Sequence, residues 1–432
     1  MPSTPAPGLA NGRAVGARGK DDILMAVMES TTSGEGPIRG PLAGLTVVDL
    51  TRVLSGPYCT MQLADMGARV IKIERPGQGD DTRGWGPPFV QGESAYFMSI
   101  NRNKESVTLD FKHPDGRILL DQLIARADIV VENFRPGTLD SVGFDYPSLQ
   151  PRYPRLVYAS ISGFGQNGPQ RDRPGYDAVV QGEGGLMSIT GAPDGPGYRL
   201  GVAIGDLVSG LYATQGILLA LFARERTGRG QYVDVGMLDS VASLLTYQAG
   251  IYFATGTPSK RMGNRHPSIV PYEVFETRDG DIVLAVGNDE LWRRFCRVAG
   301  LEHLAQDARF VTNRDRVLNY DVLRPLVAEK FAGRSRADWL SALGAAGIPA
   351  GAVRDVGEVL TDEQLIARCM IEAIEHPTTG LVRVLGVPVK LSSTPGAVHR
   401  PPPRLGEHTG PVLQELGLDA PRIDQLRHAG VI

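Results

Sequence analysis

The chain has 432 residues, 42% of them hydrophobic and 22% charged, a balance that belongs to globular proteins long enough for two or more packed cores. Its formal charge of -3 is spread without a block of one sign, which argues against nucleic acid or an anionic membrane as partner. The 3 cysteines, Cys59, Cys296 and Cys369, are too few and too scattered for a disulfide framework, and they fit a reducing, cytoplasmic setting.

Residues 1–40 are rich in Pro, Gly, Ala, Ser and Thr and lack the apolar core of a signal peptide, so they read as a disordered leader. From Leu45 onward, short β-rich runs alternate with helical ones, the pattern of strand-helix-strand units around a mainly parallel sheet. Strands are predicted over 45–50, 69–74, 107–110, 128–133 and 155–161, with helices over 57–66, where Pro57 sits in the first turn, and 114–127. A longer helix is predicted from Asp206 to about Arg224, ended by Thr227-Gly228, with a strand at QYVDVGM after it. Residues 41–236 thus form the first part of a doubly wound, Rossmann-like α/β domain. A helix over 237–255 and a loop rich in Gly and Pro make a linker over 237–271. Next, VFETRDGDIVLAV predicts a hairpin with Asp-Gly at its turn, followed by helices around Trp292, Leu323 and Trp339, a smaller α+β domain over 272–350. The remainder, 351–432, reads as a linker, an edge strand at GLVRVLGVPVKL and an extended tail returning to the first domain. No apolar stretch reaches the roughly 20 residues of a membrane span.

Gly163, Gly165 and Gly168 make a literal GxGxxG after a predicted strand. A dinucleotide fingerprint needs a helix to open at those glycines so that its amides face the pyrophosphate, whereas Pro169 and Pro174 predict an irregular loop. The 7 histidines show no metal-ligand spacing, and no metal site is expected. Without a GxSxG elbow, Walker loop or catalytic Cys context, chemistry is left to carboxylates, basic groups and backbone amides. Asp206, after Gly205 at a predicted helix start, reads by itself first as a helix cap; the same geometry also suits a carboxylate nucleophile approached over the glycine, and the surrounding motifs have to decide.

The ordered motifs GPLAGLTVVDLTRVLSGPYCTMQLADMGARVIKIERPGQGDDTR, NRNKESVTLDFK, VVENFRPGTLDSVGF, YASISGFGQNGP, GYDAVVQGEGGLMSITG, GVAIGDLVSGLYA and TGRGQYVDVGMLDS, with PPPRLGEHT near the end, resemble a class III CoA-transferase of the formyl-CoA and carnitine CoA-transferase type. The resemblance runs from Pro41 to the end of the sequence. It implies an interlocked homodimer, with acyl-CoA and a carboxylic acid as substrates and no tightly bound cofactor. It places the nucleophile on Asp206, which would form aspartyl anhydride and aspartyl-CoA thioester intermediates. CoA contacts carry over to Val53, Leu54, Ser55, Arg75, Leu109, Lys112, Asn133, Phe134 and Met237. Where formyl-CoA transferase has Arg and Met after its ENF motif this chain has Ser141 and Val142, and a loop Lys is replaced by Pro174, leaving Arg171 and Arg173 as substitutes.

Around GNRHPSIVPYEVFETRDG the chain resembles the branch acting on dicarboxylic acids, of the succinate-hydroxymethylglutarate type. A distal carboxylate needs a cation, for which Arg102 is the first candidate, with Arg265 and His266 behind it. Tyr176 and Asp177 are expected beside the substrate. The enzymatic rival is an α-methylacyl-CoA racemase, which uses a His where this sequence has Tyr176; a phenol titrates near 10, about three units too high for that proton transfer. The remaining rival is a non-catalytic CoA-binding homologue.

Overall fold

The computed structural model describes residues 40–432, so the expected leader lies, except for Gly40, outside the described residues. Six strands build the main sheet: β1 (Thr46–Asp49), β2 (Arg69–Glu74), β3 (Lys104–Thr108), β4 (Ile129–Glu132), β5 (Val157–Ser162) and β6 (Tyr232–Gly236). Every neighbouring pair is parallel, and the order is β3-β2-β1-β4-β5-β6. The β-branched runs are apolar on both faces because both faces are covered. Val48, Ile71, Val130 and Tyr158 point into one core, while their neighbours Val47, Val70, Val131 and Ala159 point into the other.

Over the second face lie α1 (Ser55–Asp65) and the 24-residue α5 (Ile204–Thr227), through Cys59, Leu63, Ala213 and Ile217. The first face is covered by α3 (Pro114–Ile124) and by two helices from the far end of the chain, α11 (Thr409–Glu415) and α12 (Ala420–His428). Predicted strand limits shift where the pairing decides: the run expected over 107–110 is in the ladder over Lys104–Thr108, opposite Val70 to Glu74. The helix expected to open at Asp206 opens two residues earlier and ends at Gly228, whose φ is 69°. With an 18-residue window of mean hydropathy 1.4, α5 is also long and apolar enough by composition to cross a membrane, longer than the apolar runs in the sequence suggest, because Gly, Ser and Thr punctuate it. The single helix expected over 237–255 is two, α6 (Met237–Ser243) and α7 (Thr246–Thr255), since three-residue turns at Leu244 and Leu245 break the ladder and Thr246 takes a φ of 34°.

A separate core gathers around β7 (Tyr272–Thr277), β8 (Gly280–Ala285) and β9 (Ala350–Ala352), an antiparallel sheet with the Asp279-Gly280 turn where the sequence predicts it. Trp292 of α8 (Asp289–Ala299), Phe331 of α9 (Tyr320–Ala332) and Trp339 of α10 (Arg336–Ala345) fill it. The expected edge strand at GLVRVLGVPVKL does not join the main sheet. It is β11 (Gly380–Leu385), paired only with β10 (Ile371–His376), because a tight turn, with two backbone amides donating to His376 Nδ1, offers the nearer partner.

Candidate active site

In an open parallel sheet, loops leaving two adjacent strands in opposite directions open a crevice at the carboxyl ends of those strands. Here the order reverses between β1 and β4. The turn after β1 is fixed by the last side chain of β1 itself and by side chains from elsewhere in the fold. Thr51 N–H donates to Asp49 Oδ1 (2.9 Å), and Asn133, just beyond β4, accepts from Arg52 N–H (2.9 Å) and donates to Arg52 C=O (2.7 Å). Val53 follows with a φ of 69°. A β-branched side chain in that left-handed region carries a strain of about 1–3 kcal/mol, so the turn holds a shape it would not take alone.

Asp206 faces this turn from the first turn of α5. It is the third residue of the helix, so it does not cap it. That task belongs to Asp177, on α4 (Asp177–Glu183), whose Oδ1 accepts Gly205 N–H (2.8 Å) while Oδ2 accepts from Gln181 Nε2 (2.7 Å). Gly205 is therefore needed for close packing: a Cβ there would lie 2.9 Å from Val180 and 3.1 Å from Asp177. Gly210 does the same one turn and a half along, where a Cβ would lie 2.6 Å from the Ser55 carbonyl, so α1 and α5 touch and Ser55 is brought to Asp206. Burial, and then the like charge of Asp177, push the Asp206 carboxyl up to about 7, against the opposing pull of the Ser55 hydroxyl. A carboxylate raised this way is poorly solvated and correspondingly more nucleophilic.

Of the residues expected at the site, Val53, Ser55, Asn133, Phe134, Met237 and Tyr176 line one crevice with Asp206. Phe134 is set by Glu132, whose carboxylate accepts the Phe134 N–H (2.8 Å) and is itself pushed up to about 7 by burial. Leu54 is buried beside the crevice at the start of α1. Arg75 and Lys112 are exposed, outside the crevice lining, the former hydrogen-bonded to Gln78. Other expectations are corrected. Leu109 is 1% exposed and belongs to the sheet core. Arg102 is 3% exposed, and its guanidinium is spent on Asp65, at 3.0 and 2.7 Å, so it is not available to a substrate carboxylate. Arg265 lies over the Tyr320 ring at 3.5 Å, and His266 stacks on Tyr272, both away from the crevice wall.

Sequence reasoning passed over Arg52 and Arg135, which also line the crevice. Arg52 is half engaged with Asp81 (3.3 Å), while Arg135 is exposed and has no ion pair among the described residues. Both stand in quoted motifs, directly before Val53 and directly after Phe134, and that adjacency was the available signal. Of the proposed phosphate substitutes, Arg173 is on the crevice, paired with Glu183, whereas Arg171 faces a second cavity beyond Arg135 and Pro136. Tyr96, on α2 (Ala95–Ile100), also lies near the carboxylates: burial, then Asp206 and Asp177, push its phenol up to about 12.

A family model described as CoA-transferase family III matches residues 42–409. The chain is 42% identical over 393 residues to succinyl-CoA:glutarate CoA-transferase of Mus musculus, covering 91% of this chain and 90% of the mouse protein. It is 43% identical over 382 residues to succinate--glutarate CoA-transferase of Agrobacterium fabrum, covering 87% and 96% of the two chains. A solved structure of a CAIB/BAIF family protein from Brucella suis aligns with a TM-score of 0.78 at 42% identity, covering 88% of this chain and 100% of that one.

Proposed function

The chain belongs to CoA-transferase family III, and from that premise we propose that it moves CoA from succinyl-CoA or a similar donor to a dicarboxylic acid of the glutarate class, with Asp206 carrying the exchange. The observation that bears most weight is a poorly solvated carboxylate in the crevice where the strand order reverses, opposite Ser55. Asp206 attacks the donor thioester carbonyl and expels CoA thiolate, leaving an aspartyl anhydride. The thiolate then attacks the aspartyl carbonyl, releasing the donor acid and leaving an aspartyl-CoA thioester. The acceptor carboxylate displaces CoA thiolate to form a second anhydride, and the thiolate opens it at the acceptor carbonyl, freeing Asp206.

With Arg102 committed to Asp65, the cations that line the crevice among the described residues, and so face CoA phosphates or a distal substrate carboxylate, are Arg52, Arg135 and Arg173. Arg135 is the first choice because it carries no competing carboxylate. The reading also includes a homodimer. A helix apolar all round needs cover on both sides, and α5 leaves Leu211, Leu218, Leu219 and Phe222 exposed on the side away from the sheet.

The test is to mix the protein with succinyl-CoA, add hydroxylamine or borohydride, and digest it. Mass spectrometry is expected to find the hydroxamate or alcohol on Asp206, and succinyl-CoA with glutarate to give glutaryl-CoA. A chain that transfers CoA with Asp206 unmodified under turnover sinks the mechanism; no transfer to any dicarboxylic acid sinks the substrate class.

A further inference from the structure

Nothing in the Val53 side chain offsets its left-handed backbone, so the hold must come from outside, and the buried pair Lys72 and Asp80 supplies it. Their side chains are 0% and 1% exposed. Lys72 Nζ donates to Asp80 Oδ2 (2.9 Å) and to the carbonyl of Thr51 (2.8 Å), while Asp80 Oδ1 accepts the N–H of Val53 (3.2 Å). Both ends of the turn over residues 51–53 are thus tied to the two partners of one ion pair, and Asn133 ties the middle. Asp80 is in turn fixed by the N–H and hydroxyl of Thr82 (3.0 and 2.8 Å) and through its own N–H by Glu74 (2.9 Å). Neither Lys72 nor Asp80 lines the crevice. A fully buried ion pair contributes little stability that two apolar residues would not. Its bonds to the backbone of a substrate-facing turn give it a different use.

Resting on the reading that this crevice takes an acyl-CoA, we propose that Lys72 and Asp80 are positioning residues that clamp the turn over 51–53 in its left-handed form and so present a preformed face to the CoA donor. The clamp removes the ordering cost that a floppy turn would charge against donor binding.

The test is titration calorimetry of free CoA against the full chain, with steady-state kinetics for both substrates. In Asp80→Asn, the Kd for CoA and the donor KM are expected to rise about tenfold, the population factor that strain of this size corresponds to. A merely structural role would lower the active fraction and leave CoA affinity per active site unchanged, which overturns the proposal. The sharper arm repeats Asp80→Asn on a Val53→Gly background. Glycine takes the left-handed form unaided, so the loss there is expected to shrink to less than about threefold. An equal loss on both backgrounds overturns the clamp. Because Asp80→Asn strands the ammonium of Lys72 and risks unfolding, Lys72→Met/Asp80→Leu is carried in parallel. It removes both charges and the acceptor for Val53, and the same loss of affinity is expected; unchanged affinity overturns the clamp. A wild-type chain that binds no CoA overturns the functional reading itself, a result distinguishable from the others.

Discussion

At Asp206 one physical cause serves function and opposes stability. Its carboxyl titrates at about 7 in the fold against an ordinary 3.8. Between those values the folded chain holds more protons than the unfolded one, so this residue's contribution to stability falls as pH rises from about 4 to about 7, and the penalty is complete above that. Asp206→Asn is therefore expected to abolish transfer and to raise stability at pH 8 by about 2 kcal/mol, discounted for partial exposure, with no gain at pH 4; paired denaturant titrations check it. The acid limb of kcat/KM is expected near pH 7, and Asp177→Asn, which removes the like charge and keeps an acceptor for Gly205, moves that limb to lower pH. A limb that stays put rules out the coupling. The Asp206 position was legible from its motif, but its burial, its like-charged neighbour and its place three residues into the helix were not, since each depends on α4 arriving from elsewhere. Arg102 shows the reverse case: a basic residue in a strong motif reads as a substrate contact until Asp65, 37 residues earlier, is seen to hold it.

Among elements, α1 and α5 set the distance across which Asp206 faces Ser55, and Gly210 sets how closely they meet. In Gly210→Ala the new methyl meets the Ser55 carbonyl, so the helices must part. A loss of about 1–3 kcal/mol of stability is expected, with a fall in kcat greater than any rise in KM, because Ser55 moves with the helix. Gly344→Ala, on α10 with open space around its Cβ, serves as the control: it should leave kcat and KM unchanged and, by relieving the helix of a glycine, raise stability by about 0.5–1 kcal/mol. Strand identity was readable from runs such as LTVVDL and RVIKIE, whose period places alternate residues in two cores. Pairing was less so. The run at β11 reads as an edge strand, and in its two-stranded ladder it is one, but its partner β10 is not legible, because a single apolar run carries no record of what it pairs with.

At the scale of the whole molecule, α5 is not alone in leaving apolar groups uncovered: α7 exposes Tyr247, Tyr252 and Phe253, the last 83% exposed. Sedimentation is expected to show a dimer, and Leu219→Asp with Phe222→Asp to yield monomer or aggregate with a lower melting temperature. Wild-type monomer at micromolar concentration would contradict this. Composition points to a globular chain with two or more packed cores, yet the use of α11 and α12 to close the first core is beyond its reach, because their apolar positions say only that something is covered.

That closure has a consequence for how the protein is made. Arg69 at the start of β2 binds Glu415 of α11 across 346 residues of chain, and Val412, Leu413, Ile423 and Leu426 cover a sheet face whose strands have all emerged much earlier. At ribosomal speeds that interval lasts roughly 20 s to a minute. The core around Trp292 can gather within its own stretch of sequence during that time, while the older sheet waits with one apolar face half dressed, and it is this nascent intermediate, more than the finished fold, that is open to aggregation.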